Sequence, residues 1–204
     1  MKEQINVKNI INKGSARKKA ELLITHYNIL EAINNGNKTL KPILNEKEVN
    51  ELFEGFQTQR EINVYNNYRQ LNIDIIQYIR ELQIKALNFE KYLYQFYLLI
   101  KEARKKTEFY EYIEKQVIIE YEEFINYYEA LKLFTQKAKY NDEITIKVID
   151  DTFLIPILHF QTNYLSKKSE IEIVEKLKEI KKIRSTEAKI KQIISNEFNY
   201  FDEK

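Results

Sequence analysis

"NIDIIQYIRELQIKALNFEKYLYQFYLLI", residues 72–100, decides the fold. Ile75, Ile79, Leu82, Ala86, Phe89, Leu93, Phe96 and Ile100 recur at intervals of four and three without a miss. That is the period of one face of an α-helix, and it is too long a run to be a strand. The register extends back through Asn72, Tyr68 and Tyr65 and forward to Ala103. No Gly or Pro lies between Thr58 and Lys106, so nothing in the span breaks a helix. Ile76, Leu87, Tyr94 and Leu98 widen the stripe, which predicts contact with more than one partner helix. Asn72, polar within that stripe, is expected to set the register between helices.

Length then argues shape. A helix from 58 to 106 would run ~73 Å at 1.5 Å per residue. A compact globule of 204 residues would be roughly 43 Å across. The two do not fit together without a break, so an elongated helical bundle is the expectation.

Outward from this helix, the same grammar repeats. Ser15 is placed to cap a helix whose Ala16, Ala20, Leu23, Tyr27 and Leu30 form a stripe, and Gly36 suits its left-handed end. Asn45 and Glu48 make a variant capping box, with Leu44 and Val49 as the hydrophobic staple, and Gly55 predicts a stop or kink. Thr107 either caps a new helix or lies within a continuous one. Tyr110, Ile113, Val117, Tyr121, Phe124, Tyr128 and Leu131 continue as a stripe to about Tyr140, and the pair Asn141–Asp142 ends it. Ser169 and Glu172 form a capping box ahead of Ile173, Leu177 and Ile180.

One stretch departs from this pattern. "ITIKVIDDTFLIPILHF", residues 144–160, opens with Ile144, Ile146 and Val148 in alternation and carries Pro156 and His159. Alternating β-branched residues predict a short strand over 144–149; residues 157–164 fit either a second strand or a helical face, and a helix over about 152–166 is the preferred reading. A lone strand leaves its backbone groups unpaired, so Ile144, Ile146 and Val148 become candidate interface residues. The expected class is therefore all-α, an elongated helical bundle with long central helices and at most a short β segment near 144–149. The expected parts are an N-terminal arm over 1–14, a bundle core over 15–140, an extended or helical connection over 141–168, and a C-terminal helix and tail over 169–204.

The inventory of chemistry is short. With no cysteine, disulfides, thiolate metal sites and cysteine nucleophiles are excluded. Three isolated glycines cannot build a phosphate loop or a dinucleotide fingerprint. A di-iron bundle needs Glu three residues before His, and neither His26 nor His159 has one. No catalytic residue, cofactor or metal site is expected, and the chain is not read as an enzyme. Its apolar runs are too short to span a bilayer, and "MKEQINVKNIIN" at the start has no apolar signal core, so no membrane partner is expected.

Net charge is only +2, but it is unevenly placed. Residues 1–20 hold Lys2, Lys8, Lys13, Arg17, Lys18 and Lys19 against Glu3. Residues 107–129 hold Glu108, Glu111, Glu114, Glu120, Glu122, Glu123 and Glu129 against Lys115. Arg17, Lys18 and Lys19 are accordingly candidate contacts to an acidic helix of another copy. Phe198, Tyr200 and Phe201, crowded into the last seven residues, are candidate anchors in another chain. Basic clusters at 16–19, 103–106 and 181–184 make nucleic acid at most a secondary partner, because acids balance most segments.

In length, helix content, the helical run over 58–140 and its arm-like ends, the chain resembles the small helical connector and ring proteins that join head to tail in tailed bacteriophages, the crAss-like group among them. The resemblance implies a structural subunit of a virion, assembled in the host cytoplasm as a ring of copies docked on a portal or tail protein. The alternative expectation is a cytoplasmic helical interaction or regulatory protein with nucleic acid as an associated ligand.

Overall fold

The computed structural model describes residues 6–102 and 107–164, with side chains to Leu158. Every regular element among them is an α-helix: α1 (Val7–Lys13), α2 (Ala16–Asn34), α3 (Glu46–Glu54), α4 (Gln59–Lys101), α5 (Glu108–Lys137) and α6 (Glu143–Tyr164). The protein is all-α, with one helix of 43 residues. At 1.5 Å per residue that helix alone measures about 65 Å. The chain divides into two compact units, one of residues up to 77 with 141–146, the other of residues 78–140 and those from 147 on.

In the first unit, α1, α2 and α3 pack around Leu22, Leu23, Leu44 and Leu52. The segment expected as an N-terminal arm is part of this unit. Asn6 caps α1 by accepting from Asn9 N–H, and Val7, Ile10 and Ile11 pack on the leucines. Their spacing of three and four gives even this short helix an apolar edge to bury.

The loop after α2 is shaped by its ends. Gly36 adopts φ +97°, the left-handed conformation expected of it. Its N–H donates to Ile33 C=O and that of Asn37 to Ala32 C=O, closing a Schellman motif. The capping box of α3 is complete, with Glu48 N–H on Asn45 Oδ1 at 3.0 Å and Asn45 N–H on Glu48 Oε2 at 2.9 Å. Gly55 follows α3 in a right-handed conformation, φ −73°, so the freedom peculiar to glycine is not used there; a Cβ would come near the movable end of Lys19. Helix α4 then starts on a second reciprocal cap between Thr58 and Glu61.

In the second unit, α4 from Tyr78 and α5 run antiparallel, pairing Tyr78 with Phe134, Phe89 with Tyr121 and Phe124, and Phe96 with Tyr110. The stripe Ile79, Leu82, Ala86, Phe89, Leu93 and Phe96 is buried throughout. Leu87 and Tyr94, expected to widen it toward a second helix, are instead exposed. Thr107 caps α5, its hydroxyl accepting from Tyr110 N–H. A Schellman motif ends α5, and its left-handed position is filled by Lys139 at φ +52° rather than by Gly.

The expected strand over 144–149 does not form, and the helix expected from 152 begins at Glu143. Asp142 stands at the N-cap, its Oδ2 accepting from Thr145 N–H at 3.2 Å. A helix satisfies its own backbone without an edge to pair with, which a lone strand cannot do. Within the second unit, Ile149, Phe153 and Pro156 follow at four and three on the inner face, and the Phe153 ring stacks on Tyr128 at 4.2 Å. Asp150 Oδ1 accepts from Tyr128 Oη at 2.9 Å and from Lys132 Nζ at 2.8 Å, fastening α6 to α5. Pro156 lies well inside the helix rather than near its first turn, so the carbonyl of Thr152 lacks its usual N–H donor.

Candidate functional site

The first unit contains a buried polar cluster. Asn28 on α2 donates through Nδ2 to Asn72 Oδ1 at 3.0 Å and to Asp142 Oδ2 at 2.9 Å, with Thr145 Oγ1 at 3.4 Å. Thr145 donates both N–H and hydroxyl to the same Asp142 oxygen. Asn72 thus has the helix-joining role its place in the stripe suggested, linking α2 and α4. The cluster also captures the start of α6. Asp142, 2 % exposed, leaves its Oδ1 buried with no protein hydrogen-bond partner. Nothing in the stripe pattern pointed to Asp142, whose only sequence signal is a capping residue three before Thr145.

A second buried polar group is His26, 5 % exposed. Its Nδ1 accepts from Leu44 N–H at 3.3 Å, which ties α2 to the residue before the α3 cap. Burial pushes its pKa below the ordinary histidine value, partly opposed by Glu48. Asp150 is set by competing effects. Burial pushes its carboxyl up, but hydrogen bonds from Lys132 and Tyr128, with the Lys132 charge, bring it below the usual range. Tyr128 is raised to about 12 by burial and by the same hydrogen bond.

The basic residues expected at an interface are largely engaged within their own unit. Arg17 pairs with Glu21 at 2.8 Å, and its guanidinium lies 4.2 Å from the centre of the buried Tyr68 ring. Lys19 lies against Gly55, and its charge adds to the Thr58 hydrogen bonds that hold Glu61 below the usual carboxylate range. Lys18 is exposed. On the acidic helix, Glu123 meets Lys85 at 3.7 Å and Glu120 accepts from Gln116. Ile144 and Ile146 are half-buried in the first turn and a half of α6, while Val148 is exposed in the second unit. On a helix Ile144 and Val148 share a side and Ile146 points away, so they form no single strand face. Phe198, Tyr200 and Phe201, and the cap at Ser169, lie outside the described residues.

Among the described residues no three His, Asp or Glu side chains converge to hold a metal ion. Two open clefts of about 420 and 430 Å³ border α3, one lined by Lys8, Asn12, Lys47 and Glu51 among others, and both are mixed-charge surface. None of the described helices is long and apolar enough to cross a membrane.

Exposed apolar side chains are a stronger feature. On α4, Ile84, Leu87, Tyr94 and half-buried Leu98, with Lys91 between them, form a second stripe at intervals of three and four. It lies about 160° round the helix from the buried stripe, at 100° per residue. Leu87 is 64 % exposed. On α5, Phe109 (56 % exposed) and Tyr112 stand out beside Glu108 and Glu111. No protein-family model matches the sequence, and comparison with curated proteins and with solved structures returned no match.

Proposed function

We propose that this protein is a structural subunit that acts by docking through helix faces, first of all onto further copies of itself. The observation that carries this reading is the outward stripe on α4, with Ile84 and Leu87 exposed at helical spacing. Scattered apolar residues are ordinary on a surface, but apolar residues aligned at helical spacing and facing water, here interrupted by Lys91, are a feature of binding faces. A three–four repeat is also the pattern by which helices of separate chains pack. The buried polar groups support the same reading, because they join helices rather than line a cavity.

In its finer form the reading is a head-to-tail connector ring of a tailed bacteriophage, docked on a portal or tail protein. That form is supported by the resemblance in length, helix content and the long central helix. The test is the native mass of the full chain over a range of concentration. A multimer is the expected result, and Ile84→Glu with Leu87→Glu should return it to monomer mass with an unchanged melting temperature. A chain that stays monomeric up to its solubility limit would overturn self-assembly. A multimer indifferent to the double substitution would remove α4 from the contact.

A further inference from the structure

The outward stripe of α4 carries charge as well as apolar surface. Ile84, Leu87, Lys91, Tyr94, Leu98 and Lys101 recur at three and four, the spacing of a two-helix seam, and all lie in the second unit. Lys91 and Lys101 are exposed, and Tyr94 is 43 % exposed. A lysine in an apolar seam costs stability where its charge meets no partner, so its position restricts how two such stripes can align. Parallel and in register, Lys91 would meet Lys91 of the other copy at one level of the seam, and Lys101 would meet Lys101. Like charges brought face to face destabilise a contact.

We infer that two copies pair through this stripe antiparallel, about a two-fold axis between residues 92 and 93. That alignment sets Leu87 against Leu98 of the second copy and Lys91 against Tyr94 of the second copy, each pair made twice. The two Lys91 charges then fall in neighbouring layers rather than at one level, each opposite an aromatic face. A lysine ammonium over a tyrosine ring is attracted by the ring quadrupole. Within one chain Lys91 lies 5.2 Å from the centre of the Tyr92 ring, and rotation about its exposed side-chain bonds exchanges that ring for the second copy's Tyr94. Ile84 falls opposite Lys101 at each end of the seam, where the ammonium reaches water. The neighbouring antiparallel registers are worse, since they set Lys91 against Leu87, which offers its charge nothing, or against Lys101, which repels it. This assignment rests on the reading that α4 docks onto another copy, and it specifies the geometry. A two-fold contact closes at two copies, so a larger ring takes a second surface.

The chain has no cysteine, so introduced ones report the alignment alone. Full-length Leu87→Cys and Leu98→Cys chains are mixed while reduced and then mildly oxidised. The mixed disulfide should form about tenfold faster than either variant links to itself, because pairing raises the effective concentration of the two thiols. Leu87→Cys linking fastest to itself would mean a parallel pair and would overturn the assignment, as would equal rates for all three pairings. Tyr94 gives a second readout without cysteine. Tyr94→Phe keeps the ring face and should leave association unchanged, whereas Tyr94→Leu should weaken it about tenfold in sedimentation, because both charge–ring contacts are lost together. Equal association of the two variants would also overturn the assignment. A wild-type chain that sediments as a monomer at every concentration would instead fail the self-docking reading itself, and this assignment with it.

Discussion

His26 shows how one side chain links loop geometry to pH. Its Nδ1 can accept from Leu44 N–H only while it carries no proton. Burial lowers its pKa in the folded protein, so the unfolded chain takes up the proton first as pH falls. The stabilisation from neutral His26 is therefore present above the unfolded value of about 6.5 and lost as pH drops below it. Thermal melts at pH 7.5 and 5.5 should show the wild type less stable at the lower pH. In His26→Gln, whose amide can accept without titrating, that difference should shrink. An equal pH dependence in both proteins would assign the effect to other groups. At the same scale, the cluster of Asn28, Asn72, Asp142 and Thr145 couples three parts of the chain through side-chain hydrogen bonds. Removing one member leaves the others buried and unsatisfied, which is why such groups act together.

Among the elements, the buried face of α4 does most to hold the second unit together. Leu82 and Phe89 are fully buried, and Phe89 stacks among Tyr121 and Phe124. Leu82→Ala and Phe89→Ala should each cost about 2–5 kcal/mol, from lost transfer energy and the cavity left behind. Ile84→Ala, about half a turn from Leu82 on the outward stripe, should cost the monomer less than about 0.5 kcal/mol. Chemical denaturation of the three variants checks the contrast, and equal losses would mean that the two stripes are not distinct. Helix α6 shows a different balance. It keeps Pro156 at a cost of about 3 kcal/mol in a helix interior, offset by burial of the ring and by the fastening of Asp150 to Tyr128 and Lys132.

For the whole molecule, the question is whether the uneven charge contributes to assembly. Arg17 and Lys19 already serve their own unit, so reversing them would disturb the fold as well as any partner. Lys18 is the clean probe. If the basic surface meets an acidic helix of another copy, association should weaken between about 0.05 and 0.5 M salt, as exposed charges are screened within about 10 Å at 0.1 M. Lys18→Glu should weaken association further without changing the melting temperature. Sedimentation of both proteins across that salt range decides it. Salt-independent association would point to the apolar stripe on α4 alone.

The helical class, the 43-residue helix, its buried face and the caps at Ser15 and Asn45 could all be read from the chain, while Thr107 was left open between a cap and a continuous helix. They rest on interactions between residues three or four apart, and such local interactions are written directly in spacing. What the spacing left open was decided at longer range. Alternating Ile144, Ile146 and Val148 suit a strand, yet with no partner edge among the described residues the backbone closes its hydrogen bonds within a helix. Asp142 caps that helix, held by Asn28 more than a hundred residues away. Leu87 and Tyr94 are as apolar as their buried neighbours, and only the positions of α5 and α6 determine that they face water. Arg17 and Lys19 look like free charges in the sequence, and only the fold places Glu21, Tyr68 and Gly55 against them. Local periodicity determines which elements form, whereas which faces are buried depends on residues far apart in the chain, and no short window of sequence records them.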